Sequence, residues 1–202
     1  MPRRQVRILQ LGPTGNIGSL ARALSHVGAL VEVVDDVQAL ERADAVVLPG
    51  VGSFADASQR LGTQREPLAR ILLSRPSLGI CLGMQLLADV GLEFGASPGL
   101  GIFAGTARRM EVSAPLPHYG WRLIARTTDS PLFRGIADDA EFYFMHSFAM
   151  DTTHGVIANS AYGDHRFVSA VQHDQLFGVQ FHPERSREAG LAVLHNFVEL
   201  AA

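Results

Sequence analysis

The sequence predicts an α/β protein: an open, mostly parallel central sheet with flanking helices, followed by antiparallel strands in the second half of the chain. Three observations carry that expectation. Short apolar runs alternate with amphipathic segments from Gln5 to Leu87. The frame Gly79-Ile80-Cys81-Leu82-Gly83 marks a sharp turn out of a strand. After Thr106 the pattern changes to shorter apolar runs separated by turn residues.

In chain order, residues 5–11 read as a first strand, 16–26 as a helix, 30–35 as a second strand and 44–49 as a third. Residues 64–73 place Leu68, Ile71 and Leu72 on one helical face. Arg75-Pro76 ends that helix, because a proline pushes the residue before it out of the α region. Ser77 leads into the Cys81 turn, beyond which Leu82, Leu86, Leu87 and Val90 recur at helical spacing and predict a further helix. Strands are expected over 106–112, 121–127, 141–149, 155–159, 167–173 and 176–181, with His173-Asp174-Gln175 as a hairpin link. Leu191, Leu194, Phe197 and Val198 then form the apolar face of a closing helix from Arg187. No repeat, low-complexity tract or long linker interrupts this pattern, so residues 1–202 are expected to form a single domain.

Composition excludes several classes of partner. A chain of 202 residues can bury roughly 70% of its unfolded surface, so a core needs no staples. A net charge of -3 with seventeen Lys and Arg gives no electrostatic footprint for nucleic acid or an anionic membrane. The single cysteine rules out an internal disulfide framework and fits a reducing compartment. Met-Pro-Arg-Arg-Gln is followed by no signal-type apolar region, and residues 6–11 are too short to span a bilayer, so a cytoplasmic protein is expected.

The glycine cluster Gly12-Pro-Thr-Gly-Asn-Ile-Gly18 lies between a strand and a helix, as in a dinucleotide site. The fingerprint, however, needs Gly-x-Gly-x-x-Gly without proline in the phosphate turn, and Pro13 sits inside a longer first spacing. A glycine-permissive turn is the plainer reading.

The Cys81 frame is the cysteine counterpart of the nucleophile elbow Gly-x-Ser-x-Gly, in which glycines let the backbone crowd and present one side chain at the sheet's edge. A lone cysteine is more often a small buried hydrophobe, but two flanking glycines and a helix start beside the sulfur favour a thiolate nucleophile. Such a nucleophile needs a base. Of eight histidines, His182 stands out in Gln-Phe-His-Pro-Glu-Arg-Ser, since on a strand it would share one face with Glu184. The imidazole would take the thiol proton and the carboxylate would orient the ring. Oxyanion stabilisation calls for backbone N–H groups. One is available from Leu82, and a second from the Leu48-Pro-Gly-Val-Gly-Ser-Phe loop, where Gly50 and Gly52 permit an N–H to turn inward.

Together, Leu48-Pro-Gly-Val-Gly-Ser-Phe, Gly79-Ile-Cys-Leu-Gly-Met-Gln-Leu-Leu, Pro117-His-Tyr-Gly-Trp, Tyr143-Phe-Met-His-Ser and Gln180-Phe-His-Pro-Glu-Arg-Ser resemble the class I (triad) glutamine amidotransferases. Within that class they are most similar to the glutaminase subunits of imidazole glycerol phosphate synthase, and the resemblance runs over essentially the whole chain. It implies hydrolysis of glutamine to glutamate and ammonia through a Cys81 thioester, with no metal or cofactor. The ammonia would pass through a tunnel to a (βα)8-barrel cyclase subunit of histidine biosynthesis. It further implies Cys81, His182 and Glu184 as the triad and Leu82 with Gly52 or Val51 as oxyanion donors. Gln85, Gly50 and the backbone near Ser147 would hold glutamine, and Asn16, Tyr119, Gly120 and Trp121 would face the partner. A paralogous subunit feeding another synthase, a cysteine hydrolase of the same fold that does not use glutamine, and a non-catalytic binding subunit are the alternatives.

Overall fold

A computed structural model describes residues 3–12, 17–50 and 52–201. Its centre is an eight-stranded sheet. Strands β1 (Gln5–Leu9), β2 (Leu30–Val34), β3 (Ala45–Leu48), β4 (Ser77–Ile80) and β14 (Leu176–Val179) run parallel in the order β2-β1-β3-β4-β14. The sheet continues antiparallel through β13 (His165–His173), β12 (Val156–Tyr162) and the short β9 (Ala125–Arg126).

The middle strands read as continuous apolar runs because both faces of the sheet are covered. Alternate residues go to opposite sides. Val6, Ile8, Val47, Leu78, Ile80 and Val179 join one buried cluster, whereas Leu9, Val46, Leu48 and Leu176 join the other. Helices α1 (Ile17–His26) and α5 (Arg187–Glu199) close the first side with Leu20, Leu24, Leu194 and Phe197. Helices α2 (Phe54–Leu61) and α3 (Arg65–Leu73) close the second with Phe54, Leu61, Leu68 and Leu72. The sequence pattern left α2 unassigned. Its start is fixed by Ser53, whose Oγ accepts the Asp56 N–H at 3.2 Å, and by Glu93, which accepts the Phe54 N–H at 2.8 Å.

Two expectations fail in instructive ways. The helix predicted after Cys81 is a single turn, α4 (Leu82–Gln85), and Val90 lies in a strand, β5 (Ala88–Gly91). The carbonyls of Leu86, Leu87 and Ala88 are taken by the N–H groups of Leu100, Ile102 and Gly101, so tertiary pairing claims the acceptors that a longer helix would use. The strand expected over 141–149 is also interrupted. β10 (Glu141–His146) pairs with β8 (His118–Leu123), and β11 (Phe148–Asp151) pairs with β7 (Phe103–Arg109) in a four-stranded sheet completed by β5 and β6 (Ser97–Pro98). Ser147 is the break between them. The remaining boundaries differ from expectation by a few residues, and the hairpin link is present, with Asp174 at φ 50° between β13 and β14.

Among the described residues no helix is long and apolar enough to cross a membrane.

Candidate active site

The site forms where β4 and β14 end side by side. Their parallel register pairs Ile80 with Val179, so the residues that follow, Cys81 and Gln180 to His182, leave the same edge of the sheet. The Cys81 N–H donates to the Val179 carbonyl at 2.7 Å and ties the two ends together. Cys81 itself sits at φ 52° and ψ −110°, a region that L residues avoid at a cost of about 1–3 kcal/mol.

The glycines around it allow that turn by close approach. A Cβ on Gly50 would lie 2.6 Å from the Cys81 Cβ and 2.7 Å from the Leu82 nitrogen, and one on Gly83 would run into the Leu48 carbonyl. The β3 loop is therefore pressed against the elbow. As the first residue of α4, Leu82 has an N–H with no partner inside the helix. A one-turn helix carries little macrodipole, so the electrostatic setting of the sulfur comes from its side-chain neighbours instead.

The foremost neighbour is His182. Its N–H donates to the Tyr143 carbonyl at 2.9 Å, and the Ser186 hydroxyl donates to the His182 carbonyl at 2.7 Å, which fixes the ring's backbone. Its Nδ1 lies 3.0 Å from Glu184 Oε1, with both side chains only 2% exposed. The expected contact is present, but not for the expected reason. β14 stops at Val179, and the turn Pro183–Arg185 folds Glu184 back onto the ring instead of a strand aligning the two. Burial works against a charged ring here, yet the Cys81 sulfur and the Glu184 carboxylate outweigh it and raise His182 to about 10. His182 Nε2 is buried and pairs with no other group among the described residues, so this atom is left to exchange a proton.

Gly50, Gly52, Cys81, Leu82, Gln85, Ser147 and His182 all line one cleft of about 650 Å³, and Glu184 stands behind His182. Tyr119 reaches the cleft rim from β8 and is 58% exposed, while Gly120 and Trp121 continue along that strand away from the lining. Asn16 and Val51 lie outside the described residues. Among the described residues no group of three or more His, Cys, Asp or Glu side chains could hold a metal.

Sequence reasoning passed over three buried polar residues beside the cleft. Gln180 donates from Nε2 to the Cys81 sulfur at 3.5 Å. His118 and His146 face each other with Nδ1 and Nε2 3.2 Å apart. Burial, with the nearby Arg122, lowers His118 to about 4. Burial lowers His146 to about 3, against the pull of its bond to the Phe148 carbonyl. The available signal for Gln180 was a lone polar residue in the apolar run Leu176-Phe-Gly-Val-Gln-Phe181, since a buried amide must find partners.

Comparison with known proteins agrees with this geometry. The family model for glutamine amidotransferase class-I matches residues 14–200. Imidazole glycerol phosphate synthase subunit HisH of Mycobacterium bovis is 41% identical over 206 residues, covering 98% of this chain and 99% of that protein. The subunit of the same name from Methanothermobacter thermautotrophicus is 41% identical over 197 residues, covering 96% and 98%. Of solved structures, PurLQS from Thermotoga maritima superposes with a TM-score of 0.73 at 19% identity, over 98% of this chain and 99% of that one. A glutamine amidotransferase structure gives 0.71 at 20% identity, over 97% and 98%. At those identities the structures speak to the fold alone.

The three perturbed histidines predict how the protein responds to pH. The ordinary value is about 6.5. His182, raised to about 10, contributes stability that is complete below pH ~6.5 and lost as pH rises toward 10. His118 and His146, lowered to about 4 and 3, contribute above pH ~6.5 and lose that contribution as pH falls toward those values. Histidine ring NMR should show one resonance titrating far above neutrality and two far below it. Glu184→Gln should lower the high one and leave the low pair in place. Eight rings titrating together near neutrality would contradict this electrostatic account.

Proposed function

Because the chain belongs to the class I glutamine amidotransferases, we propose that it hydrolyses glutamine to glutamate and ammonia and delivers the ammonia to a (βα)8-barrel cyclase subunit of imidazole glycerol phosphate synthase. The observation that carries this is the meeting of a strained cysteine with a buried, Glu184-paired His182 at the ends of two adjacent parallel strands. Near-full-length relatives named for that synthase support the choice of acceptor.

In this reading residues 1–202 act as one amidotransferase domain. The Cys81 sulfur attacks the carboxamide carbon of glutamine, and the oxygen that gains charge is met by the Leu82 N–H and an N–H from the Gly50 to Gly52 loop. His182 holds a proton at neutral pH and gives it from Nε2 to the departing nitrogen, so that ammonia leaves and a thioester remains. A water then attacks the thioester, losing its proton to the now neutral Nε2, and glutamate departs with the sulfur restored. Glu184 keeps the ring in one orientation and offsets its charge throughout. Gln85 uses both amide hydrogens within the protein, on the Phe148 carbonyl and on Gln180, which leaves its own carbonyl oxygen to meet the ammonium end of glutamine.

The partner would dock beside the cleft rim. Arg187 lies over the Trp121 ring at 4.4 Å, Arg185 over Tyr143 at 4.6 Å, and the two rings meet edge to face at 5.7 Å. With the exposed Tyr119 this is the aromatic and arginine composition of an interface hot spot. In this reading the chain, as a biosynthetic subunit, would work in the cytoplasm.

Cys81→Ala should abolish ammonia release from glutamine in the complex with the cyclase while leaving synthesis from added ammonium salts intact. Glutamine turnover near the parental rate in that variant would overturn the nucleophile assignment. The same assay with the chain alone, with cyclase, and with cyclase plus its ligand tests whether the partner completes the oxyanion site. Loss of one donor costs on the order of 100 to 1,000-fold, so the first arm should be slower than the last by about that factor. Equal turnover in all three would refute partner control.

A further inference from the structure

Four buried side chains and the half-buried Phe148 carbonyl join strand β8 to Cys81 through one continuous hydrogen-bond chain. His118 Nδ1 meets His146 Nε2 at 3.2 Å, and His146 Nδ1 meets the Phe148 carbonyl at 2.9 Å. The same carbonyl accepts from Gln85 Nε2 at 2.8 Å, and Gln85 Nε2 also donates to Gln180 Oε1 at 3.0 Å. Gln180 Nε2 donates to the Cys81 sulfur at 3.5 Å. His118 and Gln180 are 0% exposed, and Gln85 and His146 are 5% and 6% exposed.

We propose that Gln180 is a positioning residue that holds the Cys81 sulfur and favours its anionic form, and that this hydrogen-bond chain fixes which way the Gln180 amide points. The proposal rests on Cys81 being the nucleophile of the reaction above. The Phe148 carbonyl sets the polarity, because a carbonyl only accepts. Gln85 must therefore present its Nε2 and His146 must carry its proton on Nδ1. A neutral His146 then has a lone pair on Nε2, which receives the Nδ1 proton of His118, and both rings are held neutral by burial. On the other side, the second hydrogen of Gln85 Nε2 requires an oxygen from Gln180. A flipped Gln180 would set two donors against each other and an oxygen against the sulfur. Only the N–H can face Cys81, and a donor stabilises negative charge there. His182, paired with Glu184, supplies positive charge near the sulfur, and the Met145 carbonyl lies 3.9 Å from the sulfur.

Gln180 and His118 lie beneath the cleft and do not line it, so changing them removes no surface that a substrate touches. Cys81 is the only cysteine, so alkylation of the full chain by iodoacetamide reads this one sulfur. The test is the pH profile of that rate in the parent, Gln180→Met and Gln180→Glu. Both variants should move the half-maximal pH upward by about one unit, the effect of losing one hydrogen bond to a charged group. An unshifted profile in the folded variants would overturn the proposal. His118→Ala should shift the profile in the same sense by less, and His118→Asn, which can donate from near the Nδ1 position, should restore it. This remote pair keeps the proposal falsifiable if neither Gln180 variant folds. Loss of thermal stability in His118→Ala without any change in profile would show that the chain does not reach β8. Alkylation needs no glutamine. A shifted profile without glutaminase activity would therefore refute the proposed function alone, and intact activity with an unshifted profile would refute this inference alone.

Discussion

The parallel pairing of β4 with β14 is the constraint from which the site follows. Gln180 lies 99 residues from Cys81 in sequence, and register alone brings their strands to a common edge. Once Ile80 is opposite Val179, the residue after β4 is Cys81, the proposed nucleophile, and the residues after β14 bring Gln180 and then His182, the proposed base, to the same edge. The pairing is secured by burial on both faces, since Leu78, Ile80 and Val179 pack under α1 and α5 while Leu176 packs toward α2 and α3. A slip of one residue would send each of these side chains to the wrong core. The same packing that stabilises the sheet thus fixes the geometry at its end, and a strained Cys81 is held there by structure that gains nothing from relaxing it.

Much of this was legible in the amino-acid sequence, and the gaps have physical causes. Gly50 and Gly83 could be read as backbone crowding around Cys81, and the Leu48 carbonyl and the Cys81 Cβ are what crowd them. His182 and Glu184 were readable as a pair from their spacing, although a turn and not a strand brings them together. Helical periodicity after Leu82 misled because it cannot register that residues 100–103 take the carbonyls of Leu86 to Ala88. Ser147 was expected in the site, but the strand break that puts it there depends on β10 and β11 joining different sheets, a choice made by long-range pairing. Gln180 was not singled out because its partners Gln85 and Cys81 lie 95 and 99 residues away, and His118 and His146 could not be told from the other histidines because their mutual contact spans 28 residues.

Three buried histidines near one cleft are held in different charge states by their neighbours. His182 keeps a proton because the sulfur and Glu184 more than offset its burial, whereas His118 and His146, a short distance away and equally hidden, have no such counter-charge and stay neutral. The neutral pair can therefore order hydrogen bonds without adding a second positive charge that would compete with His182 for the sulfur. Fold, proton placement and the proposed acyl transfer are in this sense one problem, solved at a single sheet edge.

The central claim is that Cys81 is a nucleophile directed at glutamine, and covalent labelling by a diazo-ketone analogue of glutamine tests it most directly. Peptide mass spectrometry should find the label on Cys81 alone, with labelling slowed by added glutamine. Label on another residue while Cys81 remains free would contradict the account.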